Sequence, residues 1–196
     1  MSSWFRNLWP GVGAVGISLA RMGHDVFLTD REHLLPLIRY NAWRNGVGSG
    51  PETANGVVQK LGGGCASVAV LRWEHVMEDI VSLPTDLDLV IGGDLAYDGD
   101  YADALLRTMS AFIHRAVECP SPRPSPRVLL ALADRDDELA PFLQQAGHSG
   151  WTYTSKWTSR PWDIASAISV YEFTLAAAPL PHCSPHGTST PLPQAP

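Results

Sequence analysis

The sequence contains few cysteines, few lysines and no long apolar run, and each shortage excludes a class of protein. Its 196 residues include three cysteines, too few and odd in number for a disulfide framework, so we expect a reducing compartment. Lysine occurs only at Lys60 and Lys156, and lysine and arginine form no run, so the sequence has no basic patch for a membrane surface or for nucleic-acid phosphates. No apolar run approaches the roughly 20 residues of a membrane-spanning helix. We expect a cytoplasmic protein, with the nucleus as a second location.

The composition favours one folded domain followed by a disordered tail. Hydrophobic residues make up 45% of the chain, enough for the core of one domain of this length. Proline dominates from Ala177 onward, so we predict a folded domain over 1–176 and a disordered tail over 177–196. The 20 acidic and 14 basic residues give a formal charge of −6, which is ordinary for a cytosolic monomer. His182, Cys183 and His186 in the tail have no fourth ligand nearby, so we expect no metal site.

Apolar periodicity predicts strands and helices in alternation. Apolar, β-branched runs predict strands over Asp25–Thr29, Ser67–Leu71, Leu87–Ile91 and Val128–Leu132. Helical stripes of apolar residues cover Ile17–Gly23, Glu32–Asn45, Tyr101–Val117 and Asp136–Ala146. This alternation of strands and helices is typical of an α/β domain in which a mostly parallel sheet is covered by helices on both faces.

The end of the chain breaks this alternation. Two strand candidates, Trp151–Thr154 and Ala167–Leu175, follow one another with no helical pattern between them. They can pair only as an antiparallel hairpin at the edge of the sheet. The predicted fold is therefore an α/β, Rossmann-like, doubly wound sheet with a C-terminal antiparallel hairpin.

Residues that suit a ligand follow three of the predicted strands. Gly11, Gly13 and Gly16 form a Gly-x-Gly-x-x-Gly pattern that opens a helix, where free amides favour an anionic group. Asp30 lies 19 positions after Gly11, and a carboxylate there can accept both ribose hydroxyls of a nucleoside cofactor. Gly92–Tyr97 supplies a carboxylate and a phenol after a later strand. Because ligands bind beyond the carboxyl ends of such strands, these features together predict a nucleoside-cofactor site.

Each feature also has a purely structural interpretation. Glycine triplets arise by chance in a glycine-rich chain. Asp30 can cap the helix that begins near Glu32, Asp94 can cap the helix near Tyr101, and Tyr97 can be a half-buried core residue. The glycines and the acid also fit an NAD-binding Rossmann domain. A dehydrogenase normally needs a second, substrate-binding domain, for which 196 residues leave no room.

Four segments together resemble a known enzyme family. They are Leu28–Glu32, Arg39–Asn45, Val70–Trp73 and Asp94–Tyr97, the last with the pattern Asp-x-x-Tyr. In this order, and with a closing hairpin, they resemble the family-16 S-adenosylmethionine-dependent methyltransferases. The members of that family are protein-lysine methyltransferases with an Asp-x-x-Tyr motif after the fourth strand. The resemblance implies a seven-stranded sheet, S-adenosylmethionine as cofactor and a protein substrate that carries the target lysine.

The resemblance also implies a role for five residues at the cofactor site. Gly11 and Gly13 would hold the methionine end of the cofactor, and Asp30 would hold its ribose. Trp73 would flank the adenine, and Gly93 would line the pocket.

Two further residues are implied to be catalytic. Asp94 and Tyr97 would face the incoming lysine, with Asp94 as the first candidate for positioning the amine and Tyr97 as the second. The expected partner is therefore a protein, and neither a nucleic acid nor a membrane.

The N-terminal segment departs from the family pattern. Where the family reads roughly Glu-Leu-Gly-x-Gly-x-Gly, this chain reads Asn7–Gly13, with Trp9 in place of the first glycine and Pro10 after it. Trp9 would fill space that the cofactor needs, and Pro10 lacks a backbone donor. Only Trp4–Leu8 is left to form the central first strand, so we expect that strand to be incomplete and the N-terminus to be truncated or altered. The alternative is a degenerate, inactive methyltransferase fold that acts in protein contacts.

Overall fold

The structure is a computed structural model that describes seven segments of the chain. They are residues 4–8, 11–48, 64–96, 99–118, 124–133, 138–159 and 167–176. The predicted tail over 177–196 and three residues of the sequence argument, Trp9, Pro10 and Tyr97, lie outside the described residues. Within the described segments, no helix has both the length and the apolarity needed to cross a lipid bilayer.

One mixed sheet of seven strands runs through the described chain. In chain order the strands are β1 (Trp4–Leu8), β2 (Asp25–Asp30), β3 (Ala66–Val70), β4 (Leu89–Gly93), β5 (Arg127–Ala133), β6 (Trp151–Ser159) and β7 (Ile168–Leu175). Their order across the sheet is β3-β2-β1-β4-β5-β7-β6. Strands β1 to β5 are parallel, whereas β7 is antiparallel to both β5 and β6. The predicted α/β sheet with a closing antiparallel hairpin is confirmed.

Strand β1 lies at the centre of the sheet and pairs on both sides. Trp4–Leu8 pairs with Asp25–Thr29 of β2 and, through Phe5–Leu8, with Leu89–Gly92 of β4. It has five residues, as many as β3 and β4. The expectation of an incomplete central strand is therefore wrong. Ladder pairing uses backbone groups, so polar residues within the segment do not prevent it.

Within the segments that the structure describes, five helices connect the strands. They are α1 (Ala14–Arg21), α2 (Leu35–Arg44), α3 (Val76–Asp79), α4 (Ala102–Glu118) and α5 (Leu139–His148). Short 3-10 turns precede α2, α3 and α4 and follow α3. The alternation of β1 to β5 with helices gives the parallel half of the sheet its crossover connections.

Two hydrophobic cores lie on opposite faces of the sheet. Leu28 packs in the core that α1 and α2 form with β2 and β3. Leu8 packs in the other core, which contains α3, α4, α5 and the faces of β4 and β5. Leu8 pairs with Thr29, the residue after Leu28, and successive residues of a strand point to opposite faces. Helices therefore cover both faces of the parallel sheet, as the sequence pattern predicts.

Candidate functional site

The strand order reverses between β1 and β4, which are neighbours in the sheet. From β1 the chain moves outward through β2 and β3, and on the other side it runs from β4 to β5. Connections that diverge at such a point leave a crevice beyond the carboxyl ends of the strands. The glycine loop (Gly11–Gly13) follows β1, Asp30 ends β2, and Gly93 ends β4. The structure thus brings three predicted site features to the edge where ligands bind in this type of fold.

The glycine loop has a backbone conformation that favours glycine. Gly11 has φ 57° and Gly13 has φ 89°, both in the left-handed region. Gly13 is the N-cap of α1, and its carbonyl accepts a hydrogen bond from the Ile17 amide at 2.9 Å. A Cβ added to Gly11 would meet no heavy atom within 4 Å, so there is open space beside the loop. The first-turn amides of α1, which have no acceptor within the helix, can therefore bind an anionic group.

Asp30 is a buried carboxylate at the end of β2. The residue is 2% exposed, and the backbone N–H of Arg31 donates to its Oδ1 at 2.8 Å. Burial raises the pKa of the Asp30 carboxyl, and the opposing effects of the Arg31 amide and of the charges on His33 and Arg31 are smaller. The 3-10 turn that begins at Glu32 has Arg31 at its N-cap, so Asp30 does not cap it. A carboxylate in this position retains acceptor sites for a ligand with hydroxyl groups.

Asp30 and Gly93 lie at the same level of the sheet. Leu8, the last residue of β1, pairs with Thr29 on one side and with Gly92 on the other. Asp30 and Gly93 each follow those partners by one residue. They therefore flank the end of β1 two strand spacings apart, which is about 10 Å between Cα atoms.

Asp94 follows β4 in a conformation that is uncommon for a residue with a side chain. Its φ is 59°, and it is the one non-glycine residue with positive φ in the described chain. Its backbone N–H donates to the carbonyl of Ala131 in β5 at 2.7 Å, which holds the turn against the sheet. Asp94 is exposed, and a Cβ added to the preceding Gly93 would meet nothing within 4 Å. The crevice is therefore open beside the β4 turn.

Trp73 lies in the core. It begins a 3-10 turn three residues after β3, and it is 1% exposed. It belongs to the cluster that contains Leu71, Val76 and Leu105. Its predicted contact with an adenine stays a prediction, and the predicted role of Tyr97 concerns a residue outside the described chain.

Two residues at the crevice were missed by the sequence argument. Arg31 donates to Glu74 at 2.6 Å and lies over the ring of Tyr101, 5.3 Å from its centroid, so it links the end of β2 to the start of α4. Asn41 on α2 donates from Nδ2 to the carbonyl of Val12 in the glycine loop at 2.8 Å. Both contacts join residues far apart in the chain. Both residues lie in segments that carry the family resemblance, Leu28–Glu32 and Arg39–Asn45, but nothing local in the sequence assigned either one to the site.

The described part of the chain holds no group of three or more histidine, cysteine, aspartate or glutamate side chains placed to bind a metal ion. The residues of the candidate site are the glycine loop, the carboxylates of Asp30 and Asp94, and Gly93.

Comparison with solved structures identifies the type of fold. A methyltransferase from Pyrococcus furiosus has a TM-score of 0.58 and 13% identity, covering 89% of this chain and 76% of that one. Magnesium protoporphyrin IX methyltransferase from Synechocystis PCC 6803 with bound SAM has a TM-score of 0.53 and 16% identity, covering 89% and 71%. An rRNA methylase from Streptococcus thermophilus has a TM-score of 0.53 and 12% identity, covering 89% and 88%. The protein has an α/β methyltransferase fold.

The family follows from the sequence itself. The model of the lysine methyltransferase family matches residues 7–148, which include the glycine loop, Asp30 and the turn after β4. The chain belongs to the lysine methyltransferase family. The resemblance that the Asp-x-x-Tyr segment and its companions indicated is confirmed.

Proposed function

We propose that this protein is an S-adenosylmethionine-dependent methyltransferase that methylates lysine side chains of a protein substrate. The observation that carries the proposal is the placement of Asp30 and Gly93 on the two sides of β1, about 10 Å apart at the crevice. One nucleoside cofactor can span that distance. The family match and the bound SAM of the Synechocystis enzyme support the choice of cofactor.

The residues at the crevice fit such a cofactor. Open space beside the left-handed Gly11 gives a ligand access to the amides at the start of α1, which suits the carboxylate of the methionine end. The carboxylate of Asp30 can accept hydrogen bonds from the ribose hydroxyls. The absence of a side chain at Gly93 leaves room between these two groups and the turn that carries Asp94. When bound, S-adenosylmethionine would supply a methyl group on a sulfonium sulfur: a nucleophile bonds to the methyl carbon in line as the carbon–sulfur bond breaks, and the sulfur leaves as a neutral thioether.

Asp94 is the residue that we assign to the incoming amine. A lysine side chain has a pKa near 10.4, so presenting its neutral amine at pH 7 costs about 4 to 5 kcal/mol. An acceptor that orients the amine hydrogens directs the nitrogen lone pair at the methyl carbon, and alignment of this kind is a large part of catalysis. The hydrogen bond from the Asp94 backbone N–H to the Ala131 carbonyl holds the backbone of Asp94 at the crevice, and this fixes the position of its Cα.

Replacement of Asp94 by asparagine tests the assignment. Asparagine tolerates a positive φ, so the turn is kept while the charge is removed. We expect Asp94→Asn to lower the methyl-transfer rate at least 100-fold while the affinity for S-adenosylmethionine stays within several-fold, because the variant loses the negative charge that stabilises the positive charge developing on the attacking nitrogen. The measurement is transfer of tritiated methyl groups to a library of lysine-containing peptides and, in parallel reactions, to RNA and to small molecules, with amino-acid analysis of the labelled peptides.

The matched control is Asp103→Asn, which removes an exposed aspartate that pairs with Arg107 on α4. It should leave the transfer rate unchanged. Full activity of Asp94→Asn would remove Asp94 from this role. Label found in RNA or in a small molecule, with none in lysine, would contradict a protein-lysine substrate and leave methyl transfer itself intact.

A further inference from the structure

The contact between Asn41 and the glycine loop joins the second helix to the candidate cofactor site. Asn41 Nδ2 lies 2.8 Å from the carbonyl oxygen of Val12, 29 positions away in the sequence. A carbonyl can only accept a hydrogen bond, so the amide nitrogen of Asn41 is the donor. The backbone carbonyl of Asn41 in turn accepts bonds from the amide and the side chain of Asn45, which keep the last turn of α2 formed beneath it.

The orientation of the Val12–Gly13 peptide decides which backbone group the loop presents to a ligand. The carbonyl of Val12 and the N–H of Gly13 belong to one planar trans peptide, so they point in opposite directions. With the carbonyl directed at Asn41, the N–H of Gly13 is directed away from α2. If this peptide rotated by half a turn, the carbonyl would take the place of the N–H.

Such a rotation costs little at a glycine. Gly13 has φ 89°, and glycine populates positive and negative φ about equally. The loop sequence therefore does not by itself fix the orientation of this peptide. An anionic group binds to an N–H and is repelled by a carbonyl, so the two orientations differ in their affinity for such a group.

We propose that Asn41 is a positioning residue that locks the Val12–Gly13 peptide in the orientation required by the carboxylate end of the cofactor. This inference rests on the proposed function. Asn41 acts through the loop and does not touch the nucleoside. It preorganises a flexible glycine segment before binding, so its removal reduces affinity for the part of the cofactor that the loop holds.

Two ligands and two variants separate this role from a general structural one. Asn41→Leu keeps a side chain of similar size and a good helix former but has no donor. We expect it to weaken S-adenosylmethionine binding about tenfold, as expected for a lost hydrogen bond. The affinity for 5′-methylthioadenosine, which has the nucleoside without the carboxylate, should not change. Asn45→Leu removes a side-chain amide one turn later, keeps the backbone hydrogen bond to the Asn41 carbonyl that closes this turn, and should change neither affinity. Asn41→Asp, which is isosteric and also lacks the donor, repeats the test if the leucine variant is unstable.

Hydrogen exchange of the unliganded protein gives a second readout that does not depend on binding. Amides of residues 11–16 should exchange faster in Asn41→Leu than in the wild type or in Asn45→Leu. An equal loss of affinity for both ligands, or unchanged exchange with unchanged affinities, would overturn the role of Asn41. If the wild-type protein binds neither ligand, the proposed function fails, and exchange alone then decides whether Asn41 holds the loop.

Discussion

Asp30 has two properties that oppose each other in the unliganded protein. Its carboxylate is placed to accept hydrogen bonds from a ligand, and yet it is 2% exposed and its pKa is raised by burial. A raised pKa means that the folded state binds the proton more tightly than the unfolded state. The stability contributed by this group is therefore highest below its ordinary pKa of 3.8 and falls as the pH rises through the raised value.

This leads to a prediction in which stability and binding change in opposite directions. Asp30→Asn should be more stable than the wild type at pH 7, and the difference should shrink as the pH falls and disappear well below pH 3.8, where the wild-type carboxyl is protonated in both states. Asparagine keeps an oxygen that can accept from the Arg31 amide. The same variant should bind S-adenosylmethionine about 10- to 100-fold more weakly, because hydrogen bonds to a charged group are lost.

Urea denaturation over a range of pH and cofactor titration provide the two measurements. Asp103→Asn on the exposed side of α4 is the control; it should leave the cofactor affinity unchanged and lower stability by no more than about 0.5 kcal/mol, the value of one exposed ion pair. Unchanged cofactor affinity in Asp30→Asn would remove Asp30 from the ribose site. A stability lower than that of the wild type at pH 7 would contradict the effect assigned to burial.

At the scale of single residues, the sequence predicts those site residues that are marked by their immediate neighbours in the chain. The glycine loop and Asp30 could be found because each directly follows a strand or opens a helix. The contacts of Asn41 with Val12 and of Arg31 with Glu74 could not, since each pairs residues 29 or more positions apart. Which helix lies beside which loop depends on the packing of the whole sheet, and one sequence does not specify it.

At the scale of elements, the end of β4 contains two adjacent glycines with different surroundings. A Cβ added to Gly92 would lie 2.4 Å from Leu95 Cδ1 and 2.9 Å from Leu130 Cδ2, and both leucines are buried. A Cβ added to Gly93 would meet nothing within 4 Å. Because Gly92 has no side chain, β4 can pack closely against Leu130 of β5 and against Leu95 in the turn that follows β4. Gly93 faces open space.

The two glycines form a matched pair of variants. Gly92→Ala should lower the free energy of unfolding by about 1 to 3 kcal/mol, because the added methyl overfills a packed core. Gly93→Ala should leave the free energy of unfolding within about 0.5 kcal/mol of the wild-type value. Chemical denaturation monitored by tryptophan fluorescence measures both. Equal effects of the two substitutions would show that the packing described for Gly92 is incorrect.

The closing hairpin has features that protect an exposed sheet edge. Strand β6 is the last in the sheet, and its register with β7 shifts at Lys156. Lys156 and Arg127 both bind Glu172 at 2.6 Å, and together they lower the pKa of that carboxyl to about 2. A bulge and a charged side chain on an edge strand both discourage pairing with another chain.

Element boundaries show where periodicity is informative. Helix α4 begins and ends within one residue of its predicted limits, because its apolar stripe extends over several turns. Helix α3 was not predicted, since four residues are too few to show a period. Strand β6 extends to Ser159, five residues past its predicted end, because most of its side chains are exposed and give no alternating pattern.

For the whole molecule, the sequence could predict the class of fold but not every position in the sheet. The alternation of strands and helices predicts a doubly wound sheet, and the missing helix between the last two strands predicts the hairpin. The central position of β1 depends on pairing with β2 and β4, which are remote from it in sequence. The departure from the family pattern and the short segment left for this strand, Trp4–Leu8, therefore led to the wrong expectation of an incomplete strand.

The most direct test of the account is calorimetric titration of the wild-type protein with S-adenosylmethionine and, separately, with NAD. Asp30 and the glycine loop form one crevice at the reversal of strand order, so we predict saturable binding of one S-adenosylmethionine per chain. NAD should give no binding heat. Failure of S-adenosylmethionine to bind, or binding of NAD in its place, would contradict the central claim that this crevice is a methyl-donor site.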